Sequence, residues 1–164
     1  MRKADMHTPH LASPIEEEKA TSEYYERNAQ TYFATTLRVD MSALYSRFLR
    51  HVAHGGRILD AGSGSGRDTL AFLQRGYEVE AFDASPALCT LSTQLTGVEA
   101  QVLRFQDFDS PPRHDGIWAC ASLLHVPKDE LRDAVSRLIG ALKPGGALYV
   151  SFKHGAEERT SRDG

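Results

Sequence analysis

Hydrophobic positions along the chain fall into short continuous runs and longer stretches with helical spacing. The continuous runs predict strands buried on both faces, and apolar residues repeated every three or four positions predict helices. The first predicted strand begins near position 57, and the other four cover 78–82, 100–104, 115–120 and 147–152. The predicted helices cover 22–33, 41–53, 68–75, 86–95 and 128–142. This alternation of strand and helix predicts an α/β fold.

A glycine-rich segment separates the first predicted strand from the helix that follows it. Glycines at positions 62, 64 and 66 let the backbone turn sharply and approach a ligand closely. Strand, glycine-rich turn and helix in this order indicate a nucleotide-handling loop. Asp60, at the end of the strand, can accept hydrogen bonds from a ligand or pin the loop. A glycine-rich turn without any ligand is the alternative.

The spacing of these glycines limits which nucleotide the loop could bind. The pattern is G-x-G-x-G, whereas the dinucleotide fingerprint is G-x-G-x-x-G. Arg67 and Asp68 stand where a P-loop requires lysine and serine or threonine. Both of those motifs are therefore disfavoured. Arg67 could pair with a ligand carboxylate, or it could simply lie on the surface.

Asp83 ends the second predicted strand about twenty residues after Gly62. At this offset an acidic residue reaches a ribose in βαβ nucleotide folds, where its carboxylate can accept hydrogen bonds from both hydroxyls. The same residue could instead only cap the helix that begins at Pro86.

The D-x-G-x-G-x-G segment resembles motif I of the class I methyltransferases that depend on S-adenosylmethionine (SAM). Asp83, Asp107, residues 121–125 and the L-K-P-G-G segment ending at Gly146 follow in the order of that family, so the resemblance covers about residues 22–153. It looks closest to the small single-domain branch of tellurite-resistance and ubiquinone-biosynthesis type.

The resemblance implies a doubly wound, Rossmann-like, mostly parallel sheet and an enzyme that transfers a methyl group from SAM to a small molecule, releasing S-adenosylhomocysteine (SAH). A SAM-binding protein without turnover is the alternative. A nicotinamide oxidoreductase on a similar sheet is disfavoured by the glycine spacing.

The resemblance also implies which residues bind the cofactor. Around the glycine loop and the second strand they are Asp60, Ala61, Gly62, Ser63, Gly64, Gly66, Arg67, Asp83, Ala84 and Ser85. Later segments and the N-terminal helix add Gln106, Asp107, Phe108, Ala121, Ser122, Tyr25 and Tyr32.

Three of these assignments have open alternatives. Asp107 is expected at the adenine amino group, with an apolar neighbour on the ring, but it could be a simple loop acid. Tyr25 and Tyr32 could line the methionine end of SAM or only pack with other aromatic residues. His125 is the histidine considered for catalytic proton transfer, and it could equally orient a substrate or cap a helix.

Composition adds little to this picture. The chain has 164 residues, of which 41% are hydrophobic and 25% charged, as expected for one soluble globular domain. A net charge of -3 gives no indication of nucleic-acid binding, and no apolar run is long enough to span a membrane. Cys89 and Cys120 lie far apart and suggest neither a metal site nor a disulfide, so we expect a reduced, cytoplasmic setting without a secretory signal.

The two ends of the chain differ in what they predict. Residues 1–21 are polar and predict a flexible arm, and residues 22–54 predict a helical cap on a domain that covers 22–164. Family members normally continue after strand 5 with a helix and an antiparallel hairpin of strands 6 and 7, which this sequence does not supply. We therefore expect either a truncated form or another element over strand 5. An uncovered edge favours association, so a homodimer through strand 5 is expected.

Overall fold

The computed structural model describes residue 24 and residues 27–152. Its helices are α1 (residues 27–36), α2 (Ser42–Leu49), α3 (Arg67–Leu73), α4 (Pro86–Thr96) and α5 (Lys128–Gly140). Its strands are β1 (Arg57–Ala61), β2 (Glu78–Asp83), β3 (Ala100–Val102), β4 (His114–Cys120) and β5 (Leu142–Ser151). Short 3-10 turns follow β3 and β4, at Phe105–Asp107 and Leu123–His125. The predicted arm over 1–21 lies outside the described residues.

The five strands form one parallel sheet in the order β3-β2-β1-β4-β5. The chain moves outward from β1 to β3 and then returns to place β4 on the other side of β1. The strand order therefore reverses between β1 and β4. In open α/β sheets, ligands bind at the carboxyl ends of the strands at such a switch.

Helices cover both faces of the sheet, as the prediction of a doubly wound fold requires. On one face, Ile58 and Trp118 pack against α2 and α3, and Ala81 packs against α4. On the other face, Leu59 and Ile117 pack against α5. Successive strand residues point to opposite faces, so a strand covered on both sides has to be apolar throughout. The doubly wound, mostly parallel fold is thus confirmed.

The predicted start of the last strand at residue 147 is wrong, because residues 143–146 also belong to β5. The register between β4 and β5 shifts between His114 and Gly116, and Gly145 has a φ of +81°. Residues 143–146 are therefore an irregularity inside the strand. The helix before it ends at Gly140, earlier than predicted, since Arg113 and His114 both donate backbone hydrogen bonds to the Ala141 carbonyl.

The strand β5 lies at one edge of the sheet. Within the described part of the chain, no strand pairs with its outer side. Association through this edge stays a prediction. Among the same residues, no helix has both the length and the apolar character needed to cross a membrane.

Candidate functional site

The glycine loop, residues 62–66, connects β1 to α3 at the switch in strand order. Gly62, Gly64 and Gly66 have φ angles of +74°, +53° and +78°, in the left-handed region that favours glycine. The backbone N–H groups of Gly62 and Ser63 both donate to the Phe82 carbonyl, at 2.9 Å each. These bonds hold the loop against the carboxyl end of β2.

The three glycines are needed for different reasons. A Cβ on Gly62 would lie 2.4 Å from Ser122 Cβ, and one on Gly66 would lie 2.4 Å from Ser92 Oγ. Both glycines therefore allow close packing within the protein. A Cβ on Gly64 would lie 3.3 Å from the ring of Tyr32. Gly66 packs against α4, so its lack of a side chain is already explained within the protein, and its contact with a cofactor stays a prediction.

A cleft of about 180 Å³ opens at the carboxyl ends of the strands beside this loop. Many of the sequence-predicted residues line it together: Tyr32, Gly62, Gly64, Asp83, Ala84, Ser85, Gln106, Ala121, Ser122 and His125. Sequence reasoning missed much of the apolar wall, which includes Phe82, Leu88, Leu103, Phe105 and Val126. Its residues are apolar like those of the core, so the sequence carries no separate signal for them.

The Asp83 carboxylate points into this cleft toward the glycine loop. Its Oδ2 accepts a hydrogen bond from the Gly64 N–H at 2.8 Å, and its Oδ1 accepts one from the Ser85 N–H at 2.9 Å. Burial raises the pKa of Asp83, and these backbone donors oppose the rise. The N-terminus of α4 is capped by Ser85, whose Oγ accepts from the Leu88 N–H. Asp83 is thus not the cap of that helix, and contact with a ribose stays a prediction.

Asp60 and Arg67 are not among the residues that line the cleft, and their assignment as cofactor contacts stays a prediction. Asp60 is 1% exposed and accepts a hydrogen bond from the Thr69 hydroxyl at 2.6 Å, so it pins the start of α3. Burial, together with the nearby charge of Asp68, raises the pKa of Asp60 to about 8. Arg67 donates to both carboxylate oxygens of Asp68, at 2.6 and 2.9 Å. Ala61 is fully buried in the core.

A buried cluster around Asp68, which sequence reasoning did not find, lies behind the glycine loop. Asp68 accepts hydrogen bonds from the Tyr45 hydroxyl, from Arg67 and, at 2.8 Å, from the Trp118 indole N–H. Burial and the charge of Asp68 raise the pKa of Tyr45. Trp118 is fully buried in the core. We call these four residues the Asp68 cluster; it joins α2, α3 and β4.

The turn after β3 places its residues differently from the prediction. Gln106 lines the cleft and donates to Glu130 Oε2 at 2.7 Å. Asp107 is exposed and pairs with Arg104 at 2.8 Å, which lowers the pKa of Asp107. Phe108 is buried and stacks on Phe82. Here the turn directs Asp107 to solvent and Phe108 into the core, and the expected contacts of both residues with the cofactor stay predictions.

Other predicted residues fall at the edges of the site or outside it. The Tyr32 ring packs over Gly64, and burial, followed by the charge of Asp83, raises the pKa of its hydroxyl. His125 is exposed at the cleft, in the 3-10 turn after β4. Ser63 is buried outside the cleft, and its hydroxyl has no hydrogen-bond partner among the described residues. Tyr25 lies outside the described part of the chain.

The β4 loop, residues 121–126, forms one wall of the cleft. Ala121 has a φ of +49° and is the only non-glycine residue with a positive φ among those described. Its N–H donates to Ser151 Oγ at 2.9 Å. The Ser122 hydroxyl donates to the Ala61 carbonyl at 2.8 Å. The loop is thus tied to β5 on one side and to β1 on the other.

Comparison with known proteins places this geometry among methyltransferases. A family model described as a methyltransferase domain matches residues 58–146, more than half of the chain. An uncharacterized methyltransferase from Staphylococcus carnosus is 30% identical over 115 residues, which cover 68% of this chain and 55% of that protein. A ubiquinone biosynthesis O-methyltransferase from Xylella fastidiosa is 34% identical over 106 residues, covering 59% and 42%.

A solved structure shares the fold at low sequence identity. The 1,6-didemethyltoxoflavin-N1-methyltransferase of Burkholderia thailandensis, with 1,6-didemethyltoxoflavin and SAH bound, aligns with a TM-score of 0.68 and 23% identity. The alignment covers 87% of this chain and 68% of that one. The chain spans about half the length of the curated relatives that it matches.

Proposed function

The chain belongs to the methyltransferase domain family, and from that premise we propose that it binds SAM in the cleft and transfers its methyl group to a small molecule. The observation that carries this proposal is the Asp83 carboxylate, held 2.8 Å from the Gly64 N–H at the switch in strand order. A half-buried acceptor beside a side-chain-free backbone suits a ligand that presents hydroxyl donors close to the main chain.

The residues of the cleft fit the two halves of an adenosyl group. Asp83 supplies an acceptor for ribose hydroxyls, and Leu88, Leu103 and Phe105 supply an apolar wall for a flat ring. The cleft is smaller than the 300–1,000 Å³ or so that is usual for ligand sites. The Tyr32 ring packs over Gly64 at its end, so we expect this ring to move when a whole cofactor binds.

Methyl transfer from SAM requires few reactive groups from the protein. SAM carries a methyl group that is already activated by its sulfonium, so no protein group has to generate an electrophile. The residues of the cleft have to hold the reactants in line and exclude water. His125, exposed at the cleft, is the residue that we propose to take a proton from an acceptor that must lose one.

Two relatives support a small-molecule acceptor. One is named for a step of ubiquinone biosynthesis, and the other was solved with 1,6-didemethyltoxoflavin bound. The net charge of -3 gives no support for a nucleic-acid partner. A cytoplasmic location is part of the proposal, because both cysteines of the chain, Cys89 and Cys120, are free thiols.

Isothermal titration calorimetry with SAM, SAH and NAD tests this function. We expect SAM and SAH to bind with micromolar dissociation constants, which correspond to about -8 kcal/mol, and NAD not to bind. A screen of small acceptors with methyl-labelled SAM should then show transfer of the label. Binding of NAD in place of SAM would contradict the proposal. Binding of SAM without transfer to any acceptor would favour a SAM-binding protein without turnover.

Replacing Asp83 by alanine should weaken SAH binding by roughly 1.5–3 kcal/mol, the usual loss for a hydrogen bond to a charged group. Asp133→Ala is the matched control, because it removes a carboxylate that is exposed on α5 and outside the cleft. Calorimetry should show an unchanged affinity for this control. Equal affinities of the Asp83→Ala variant and the wild type would remove Asp83 from the binding site.

A further inference from the structure

Ala121 is held in a conformation that it does not favour. Its φ of +49° is unfavourable for a residue with a Cβ, because the Cβ comes too close to the following carbonyl oxygen. Such strain persists only where the surroundings hold it, and it gathers at ligand sites. Ala121 lies at the carboxyl end of β4 and lines the cleft. The contacts that hold it therefore affect the shape of the site.

Ser151, the last residue of β5, makes the contact that holds Ala121. Its Oγ accepts the Ala121 N–H at 2.9 Å and donates to Cys120 Sγ at 3.6 Å. A hydroxyl has one hydrogen to donate and two lone pairs, so both bonds can form together. Parallel pairing places Ser151 directly opposite Cys120, one residue before the strained position. The hydroxyl is thus fixed by the sheet.

The other side of the strained residue is fixed as well. The Ser122 hydroxyl donates to the Ala61 carbonyl at 2.8 Å, and its Cβ occupies the space that a side chain on Gly62 would need. Ser122 is thus tied to β1, and on the other side the Ser151 hydrogen bond opposes relaxation of the Ala121 backbone.

We propose that Ser151 is a positioning residue for cofactor binding, which acts by holding Ala121 in the left-handed conformation and so fixes the β4-loop wall of the cleft. This inference rests on the proposed function, which makes the cleft the SAM site. Ser151 is not among the residues that line the cleft, so it acts through a partner that does, and of its partners Cys120 and Ala121 we assign the effect to the strained Ala121. An ordinary hydrogen bond changes an equilibrium by about three- to tenfold, and its loss should shift the loop away from the binding conformation by that factor.

A double-mutant cycle measured by calorimetry with SAH tests this mechanism. Ser151→Ala should weaken SAH binding by about three- to tenfold. Glycine adopts a positive φ without a Cβ penalty. In the second arm, the Ala121→Gly/Ser151→Ala double variant is compared with the Ala121→Gly single variant. Here the serine substitution should therefore change the affinity for SAH by less than about twofold. Ser151→Thr keeps the hydroxyl and should bind SAH like the wild type.

The control and the outcomes separate this inference from the proposed function. Ser136→Ala removes an exposed hydroxyl that donates only to the Arg132 carbonyl on α5, and it should leave the affinity unchanged. Two results would overturn the positioning role alone, provided that the wild type binds SAH. In the first, Ser151→Ala lowers the affinity equally in both backgrounds. In the second, it does not lower the affinity at all. Equal losses from Ser151→Ala and Ser151→Thr would overturn it too. A wild type that does not bind SAH would contradict both the proposed function and this inference.

Discussion

Replacing Gly64 by valine should lower the affinity for SAH by about 100-fold or more while the sheet stays folded. Gly64 lines the cleft, and its N–H contacts the Asp83 carboxylate. A Cβ here would already lie 3.3 Å from the Tyr32 ring, so a valine fills the space that a ligand needs. Calorimetry measures the affinity, and the fluorescence of Trp118, the only tryptophan in the chain, reports the fold.

Gly76→Val is the matched control for this substitution. Gly76 has a φ of +82°, and a Cβ there would meet nothing within 4 Å. The control therefore carries a similar backbone strain, about 1–2 kcal/mol, without a side chain in the cleft. It should lower the free energy of unfolding and leave SAH binding intact. If Gly64→Val bound SAH as well as the control does, the ligand would not lie on the glycine loop.

Replacing Asp60 by asparagine should make the protein more stable at alkaline pH. The folded chain raises the pKa of Asp60 from 3.8 to about 8, because the carboxyl is buried and lies near the charge of Asp68. Between these two values the folded chain keeps a proton that the unfolded chain has released. The free energy of unfolding therefore falls as the pH rises from about 4 to about 8.

Asparagine stays neutral at every pH and can still accept the Thr69 hydrogen bond, so the Asp60→Asn variant should escape this loss. At pH 9 we expect it to exceed the wild type by roughly 3–6 kcal/mol in the free energy of unfolding, and the two to converge near pH 4. Urea unfolding followed by Trp118 fluorescence measures the difference. Asp107→Asn is the control, at an exposed carboxyl whose pKa is lowered by Arg104. Above pH 5, its free energy of unfolding should change with pH in the same way as that of the wild type. A parallel curve for Asp60→Asn would show that its carboxyl ionises normally.

The parts of the fold that the sequence predicts well are those with local causes. The strand β1 and the turn after it are determined by residues that are neighbours in the chain, first an apolar run and then the glycines. The position of Asp83 follows from the fixed length of one strand-helix-strand unit, so its approach to Gly64 could be expected. Its predicted contact with a ribose is still open to test.

Other features of the site could not be predicted, because their causes are not local in the sequence. A shift of one residue in the 3-10 turn after β3 would exchange Gln106 and Asp107 at the cleft. No residue type in that turn indicates which of the two side chains faces the cleft. Arg67 pairs with Asp68, the next residue, whereas the sequence offered a ligand carboxylate or a surface position. The Tyr45 and Trp118 bonds to Asp68 join positions 23 and 50 residues away. Only the assembled tertiary structure brings those groups together.

The packing of Ser122 on Gly62 and of Ser92 on Gly66 bears on how this motif could change over evolution. Two of its three glycines are required by the protein's own side chains, whether or not anything binds. A descendant that had lost all catalysis would therefore still be under selection to keep both, merely to fold. Glycines kept at positions 62 and 66 would therefore indicate common descent and not function. A change at position 64 would indicate that the ligand is no longer bound.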